Sequence, residues 1–165
     1  MREMRSRAAG ALYGLAIGDA LGMPTQSLPR AAVVARYGPL VSEFCPGPAG
    51  HPLASGLPAG SVTDDTEQAV LLARLVVAGE GEVDAADLAR DLFAWEKSMR
   101  ARGSLDLLGP STRQALAALA AGADPAEAGR AGLTNGAAMP TGAIRIAAPL
   151  VSPACWRIAW SRPAG

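Results

Sequence analysis

The sequence predicts an all-α fold, on three observations. Half of the residues are hydrophobic but only 4% are aromatic, so a core must be assembled from Ala, Leu, Val and Ile, which suits closely packed helices better than an aromatic-rich sheet. Several segments carry apolar residues at three- and four-residue spacing. No segment alternates apolar and polar residues as a half-buried strand would. A length of 165 residues suits one domain, and residues 1–165 are read as a single one.

The first helical segment is "GALYGLAIGDALG", in which Gly10, Gly14, Gly18 and Gly22 recur every four residues and line one face. Each interior glycine costs ~1 kcal/mol of helix propensity. The ladder is therefore expected to meet another helix closely or to let backbone approach a ligand. Asp19, near the end of this segment, is expected to bond backbone groups at the end of its own helix. Upstream, Arg2, Arg5 and Arg7 followed by the apolar stretch Ala8 to Ile17 imitate a secretory signal peptide, with a cleaved, secreted helical protein as the reading that follows. The glycines, the sparse leucine and Asp19 argue against it, and the run falls short of the ~20 apolar residues of a membrane span.

A short helix is predicted over Arg30 to Tyr37, followed by a Pro- and Gly-rich loop, "CPGPAGHPLASGLPAGS". Loops longer than ~12–15 residues inside a compact domain are usually functional or disordered, and this one leads to "SVTDDTEQAV". His51 lies in it with no second His or Cys at ligand spacing and is expected to be solvated. Ser55 and Ser61 have no histidine partner for nucleophilic catalysis.

The next segment, "EQAVLLARLVVAGEG", reads as a buried helix with Val70, Leu71, Ala73, Leu75 and Val77 inward and a stop at Gly79. Asp84 begins another, in which Leu88, Leu92, Trp95 and Met99 share a face. "GPSTRQALAALAAGAD" reads as a third, with Ser111 or Thr112 as N-cap and Gly122 as terminator. Nothing acidic follows Glu127, and the end of the chain reads as irregular, with Trp156 and Trp160 as a small apolar face.

Fifteen basic and fifteen acidic residues give a formal net charge of zero, and the arginines are scattered. No nucleic acid is expected as a partner, and no membrane. Cys45 and Cys155 form no metal-ligand spacing, so a reduced, cytoplasmic setting is the simpler expectation.

Chemistry concentrates at Thr63-Asp64-Asp65-Thr66. Adjacent carboxylates repel one another unless a cation or several hydrogen-bond donors compensate. Mg2+ prefers oxygen ligands, so both aspartates and a threonine hydroxyl form a sensible partial shell. Taken alone, the same residues read more readily as a helix cap, since Asp64 with Glu67 resembles a capping box and acids favour the positive end of the helix dipole.

Four motifs in order, "GALYGLAIGDALGMPTQ", "GSVTDDTEQAVLLA", "LLGPSTRQAL" and "TNGAAM", resemble the ADP-ribosylglycohydrolase family over about residues 9–139, in its amino-terminal half; residues 140–165 diverge. The resemblance implies an orthogonally packed helical domain with two Mg2+ ions in a cleft, cleaving ADP-ribose from a protein side chain or small molecule. It assigns Thr63, Asp64 and Asp65 to metal, with Asp64 and Asp65 catalytic, and Gln26, Asn135, Gly136, Ala137 and Met139 to substrate. At Gln26 the family carries an acid, and a glutamine cannot deprotonate a water. In the family an arginine follows the methionine, whereas Pro140 follows here and "RIAAP" begins only at Arg145.

The family's second acidic motif, Asp-x-Asp-Thr, is absent from this chain. Asp106 is a further acid, read as a solvated loop residue. A truncated or frame-shifted product, inactive alone, is the simplest expectation. The alternative is a non-catalytic ADP-ribose-binding module, or a remnant that pairs with another chain through exposed apolar helix faces.

Overall fold

The computed structural model describes residues 2–104, 107–130 and 132. Among them there is no strand. The helices are α1 (Arg2–Gly22), α2 (Arg30–Tyr37), α3 (Asp64–Ala78), α4 (Ala85–Ala101), α5 (Pro110–Ala120) and the short α6 (Pro125–Ala128), with a 3-10 turn at Met23–Thr25. The helices pack in series: α1 on α3, α3 on α4, α4 on α5, α5 on α6.

Local signals set most boundaries. Asp84 caps α4, its Oδ1 accepting from the amides of Ala86 (2.8 Å) and Asp87 (3.0 Å). α3 stops at Gly79, where an added Cβ would lie 2.1 Å from Glu82 O, so only glycine fits. The N-cap of α5 is Gly109, not Ser111 or Thr112. Pro110 explains the shift: its φ suits the first helical position and its missing N–H would have been unbonded there anyway. Gly122 follows the C-cap at φ +87°.

The main core lies between α4 and α5, where Ala89, Leu92, Leu108 and Leu116 are buried and Leu71 of α3, Leu88, Phe93, Trp95 and Leu119 pack around them. On α3 the buried stripe is Thr66, Ala69, Leu72 and Val76. Val77, expected inward, is 79% exposed. One residue is about 100° of helix rotation, so burying Val76 turns Val77 out. Glu96 of α4 is buried and paired with Arg113 of α5 and with Arg100 at 3.6 Å, which ties the two core helices together.

Of the two expectations for the glycine ladder, a close helix contact is not made among the described residues. At Gly10, Gly14, Gly18 and Gly22 an added Cβ would meet nothing within 4 Å among the described residues. Tyr13 and Ile17 beside them are 70% and 51% exposed. The opposite side of α1, with buried Ala20, is the one that packs inward. No helix among the described residues is long and apolar enough to cross a membrane.

Candidate functional site

The long Pro/Gly loop is the strap that leads into the site, and His51 organises it. His51 was expected to be solvated; it is 5% exposed. Its Nδ1 accepts from the amides of Leu53 (3.2 Å) and Ala54 (2.9 Å), which makes Nε2 the protonated nitrogen, donating to Gln26 O at 2.9 Å. Loop amides that no helix or strand satisfies thus find an acceptor in a side chain. At Gly47 an added Cβ would lie 1.7 Å from Ala54 O, so the two arms of the loop meet only because a glycine stands there.

Gln26 ends the 3-10 turn after α1, and Ser27 beyond it has φ +58°, a left-handed conformation uncommon outside glycine. The Gln26 carbonyl is fixed by His51. Its side-chain Nε2 is buried with no hydrogen-bond partner among the described residues, a donor set for an acceptor that the described protein atoms do not supply. Between α2 and the loop runs a groove of about 370 Å3 that His51, Arg36 and Ala49 help to line; Gln26, Thr63, Asp64 and Asp65 are not in its wall.

Thr63 is the N-cap of α3, in extended conformation and 4% exposed, with no capping bond from its own side chain. The cap comes from α1. Asp19 Oδ2 accepts from Thr63 N (2.8 Å), Thr66 N (3.3 Å) and Thr66 Oγ1, and Asp19 Oδ1 accepts from Thr63 Oγ1 (2.7 Å). Asp19 therefore does bond backbone groups, as expected, but those of α3 rather than of its own helix. The expected capping box is also absent in its Asp64–Glu67 form. Glu67 instead accepts from Trp95 Nε1 and, at 3.1 Å, from Arg102 Nη2, tying α3 to α4.

With Thr63 and Asp19 filling the cap, Asp64 and Asp65 occupy the first turn of α3, both half-buried. The positive end of the helix dipole favours carboxylates here. Gln68, one turn on and 6% exposed, donates from Nε2 to Asp64 Oδ2 at 3.1 Å and so steadies that carboxylate. Gln68 was not anticipated, although its four-residue spacing from Asp64 on a helix is the signal that finds it.

The donor set at this helix start is two carboxylates and a hydroxyl, all hard oxygen, which suits Mg2+ and not a thiolate- or imidazole-seeking metal. Among the described residues no group of three or more His, Cys, Asp or Glu side chains gathers at metal-holding distance. The residues present fit part of a magnesium shell. Asn135, Gly136, Ala137 and Met139, together with Asp106, Cys155, Trp156 and Trp160, lie outside the described residues.

A sequence profile described as ADP-ribosylglycohydrolase matches residues 1–160. The chain is similar to the uncharacterized protein YegU of Escherichia coli (strain K12), 39% identical over 133 residues, 81% of this chain and 39% of that protein. It is similar to an uncharacterized protein of Archaeoglobus fulgidus, 36% identical over 82% of this chain and 41% of that protein. It is also 33% identical to the ADP-ribosyl-[dinitrogen reductase] glycohydrolase of Rhodospirillum rubrum, over 58% of this chain and 30% of that protein. The chain thus spans about two fifths of the length of the first two, 39% and 41%. With its helical architecture and its motifs in order, the chain belongs to the ADP-ribosylglycohydrolase family.

Proposed function

We propose that this chain contributes the Thr63-Asp64-Asp65 half of a magnesium site that hydrolyses the bond between ADP-ribose and a modified protein side chain or small molecule. One observation carries the reading: in a member of this family, both aspartates stand in the first turn of α3, with Thr63 held by Asp19 and Asp64 steadied by Gln68.

When bound there, Mg2+ would supply charge compensation and a water of lowered pKa. Thr63, Asp64 and Asp65 are the residues that would hold it. Hydrolysis places the water oxygen on the anomeric carbon, while the departing atom keeps the bonding pair and takes up a proton. Gln26 cannot serve as the base for that water; its unpartnered Nε2 is suited to donate to a ribose hydroxyl or phosphate oxygen. Asn135, Gly136, Ala137 and Met139 are proposed to lie against the ADP-ribose, the Asn-Gly turn offering backbone N–H groups to phosphate.

Residues 1–165 carry no acid after Glu127, so on this reading the chain by itself holds its cation measurably but less tightly than a site with a second acidic motif, and is inactive or very slow. A second reading, a non-catalytic ADP-ribose-binding module that joins another chain, is supported by the face of α1 that no described residue covers. Titration calorimetry separates the two. Metal-dependent function predicts heat on adding Mg2+ and then ADP-ribose, lost in Asp64→Asn. A module predicts ADP-ribose heat that persists in EDTA. No heat from wild type with either ligand, or equal Mg2+ heat from wild type and Asp64→Asn, overturns the magnesium reading.

A further inference from the structure

We propose that Asp19 is the positioning residue of the metal site, acting through Thr63: it takes the hydroxyl hydrogen and so leaves the Thr63 oxygen with only lone pairs to present to a cation. The inference rests on the metal reading of Thr63-Asp64-Asp65 and adds to it a residue on a different helix.

The two oxygens of Asp19 divide their work. Oδ2 receives the donors that start the helix, the amides of Thr63 and Thr66 and the Thr66 hydroxyl. Among the described residues Oδ1 receives only the Thr63 hydroxyl, at 2.7 Å. A hydroxyl has one hydrogen and two lone pairs, and an ionised carboxylate can only accept. The direction of the Oγ1 to Oδ1 bond is therefore settled, and it consumes the hydrogen while leaving both lone pairs of Oγ1 for other partners. Thr63 is 4% exposed, so solvent does little to reorient its hydroxyl. A half-buried carboxylate that merely capped the amides of α3 would need only Oδ2. The Oδ1 contact is the one that a ligand-orienting role explains, in the way outer partners of metal sites fix the groups that touch the metal.

Asp19→Asn tests this sharply. The amide oxygen must face the two N–H donors, so the amide nitrogen falls where Oδ1 stood. As a donor it makes the Thr63 oxygen accept, and the Thr63 hydrogen turns outward, toward the cation. The helix start keeps its acceptor, but the candidate ligand is inverted.

The experiment uses the full chain and Mn2+ as probe, read from the electron paramagnetic resonance signal of the free ion, with thermal unfolding in EDTA recorded for each variant. Asp19→Asn is expected to weaken Mn2+ binding by about tenfold or more, the usual effect of losing an outer partner. Thr66→Val, which removes one Oδ2 bond and leaves the Oδ1 bond to Thr63 in place, is expected to lower the unfolding temperature with Mn2+ affinity within about twofold of wild type. In a Thr63→Val background the Asp19→Asn effect is expected to shrink to about twofold or less, because residues acting as one unit are not additive.

An Asp19→Asn loss that is equally large in the Thr63→Val background assigns the effect to charge alone and overturns the proposal. So does Asp19→Asn affinity within twofold of wild type, or a Thr66→Val loss as large as that of Asp19→Asn. A wild type that binds no Mn2+ sinks the metal reading itself. The hydroxyl orientation is then judged separately, in metal-free protein, by whether the Thr63 hydroxyl proton gives a slowly exchanging nuclear magnetic resonance signal; its absence counts against the geometry, and so does an Asp19→Asn variant that still shows it.

Discussion

Replacing His51 isolates what organises the long loop. The ring makes three hydrogen bonds, one to a buried amide at Ala54, one to a part-buried amide at Leu53 and one to the part-buried Gln26 carbonyl. A net hydrogen bond is worth ~1 kcal/mol and a buried donor left unmade costs ~1–3 kcal/mol, so His51→Ala is expected to lose roughly 2–4 kcal/mol. Two variants divide the ring. In His51→Asn the side-chain oxygen stands near the place of Nδ1 and keeps the Leu53 and Ala54 amides, while the reach to Gln26 is lost, at about 1 kcal/mol. In His51→Gln the side-chain nitrogen stands near the place of Nε2, so the Gln26 tie survives and the two amides are abandoned. Urea unfolding gives the energies, and hydrogen exchange at Ala54 N reports the loop directly. The expected order of stability is wild type, then Asn, then Ala, with Ala54 protection retained in Asn and lost in Gln and Ala. Equal destabilisation by Asn and Ala, or undiminished Ala54 protection in His51→Ala, refutes the reasoning.

Three other perturbations follow from the packing. At the Glu96–Arg113 pair, the Glu96 side chain is 8% exposed and that of Arg113 42%, so Arg113→Met leaves a buried carboxylate with only the longer 3.6 Å contact to Arg100, whereas Glu96→Leu leaves an arginine that can turn to water. Urea midpoints should place Arg113→Met about 1–3 kcal/mol below wild type and Glu96→Leu closer to it. Gly47→Ala, which drives a Cβ into Ala54 O, is expected to destabilise by at least ~2 kcal/mol and to abolish Ala54 protection in hydrogen exchange. Ile17→Lys with Tyr13→Lys should reduce the average mass seen by light scattering at high protein concentration, since these side chains flank the glycine face that no described residue covers; a wild type that is already monomeric counts against association through that face.

Elements with local signals were legible in the sequence. Arg30–Tyr37, the Gly79 stop and the Asp84 cap fall where spacing and capping chemistry put them. The helix start at Asp64 and its two carboxylates were legible for the same reason. What escaped was long-range pairing of polar groups. Asp19 and Thr63 are 44 residues apart, and the bond between them depends on how α1 crosses the start of α3. His51 escaped because its partners are backbone groups, which no residue pattern displays. The glycine ladder was visible as a flat face, yet nothing in its spacing says what lies opposite, and among the described residues nothing does.

Paramagnetic broadening by Mn2+ in the isotope-labelled chain locates the divalent cation proposed at the first turn of α3. Substoichiometric Mn2+ is expected to broaden the amides of Thr63, Asp64, Asp65 and Thr66 before any others, and Asp64→Asn with Asp65→Asn to abolish this. Broadening centred elsewhere, for example at the partly exposed acids Asp87 and Asp91 of α4, or undiminished in the double variant, would rule that site out.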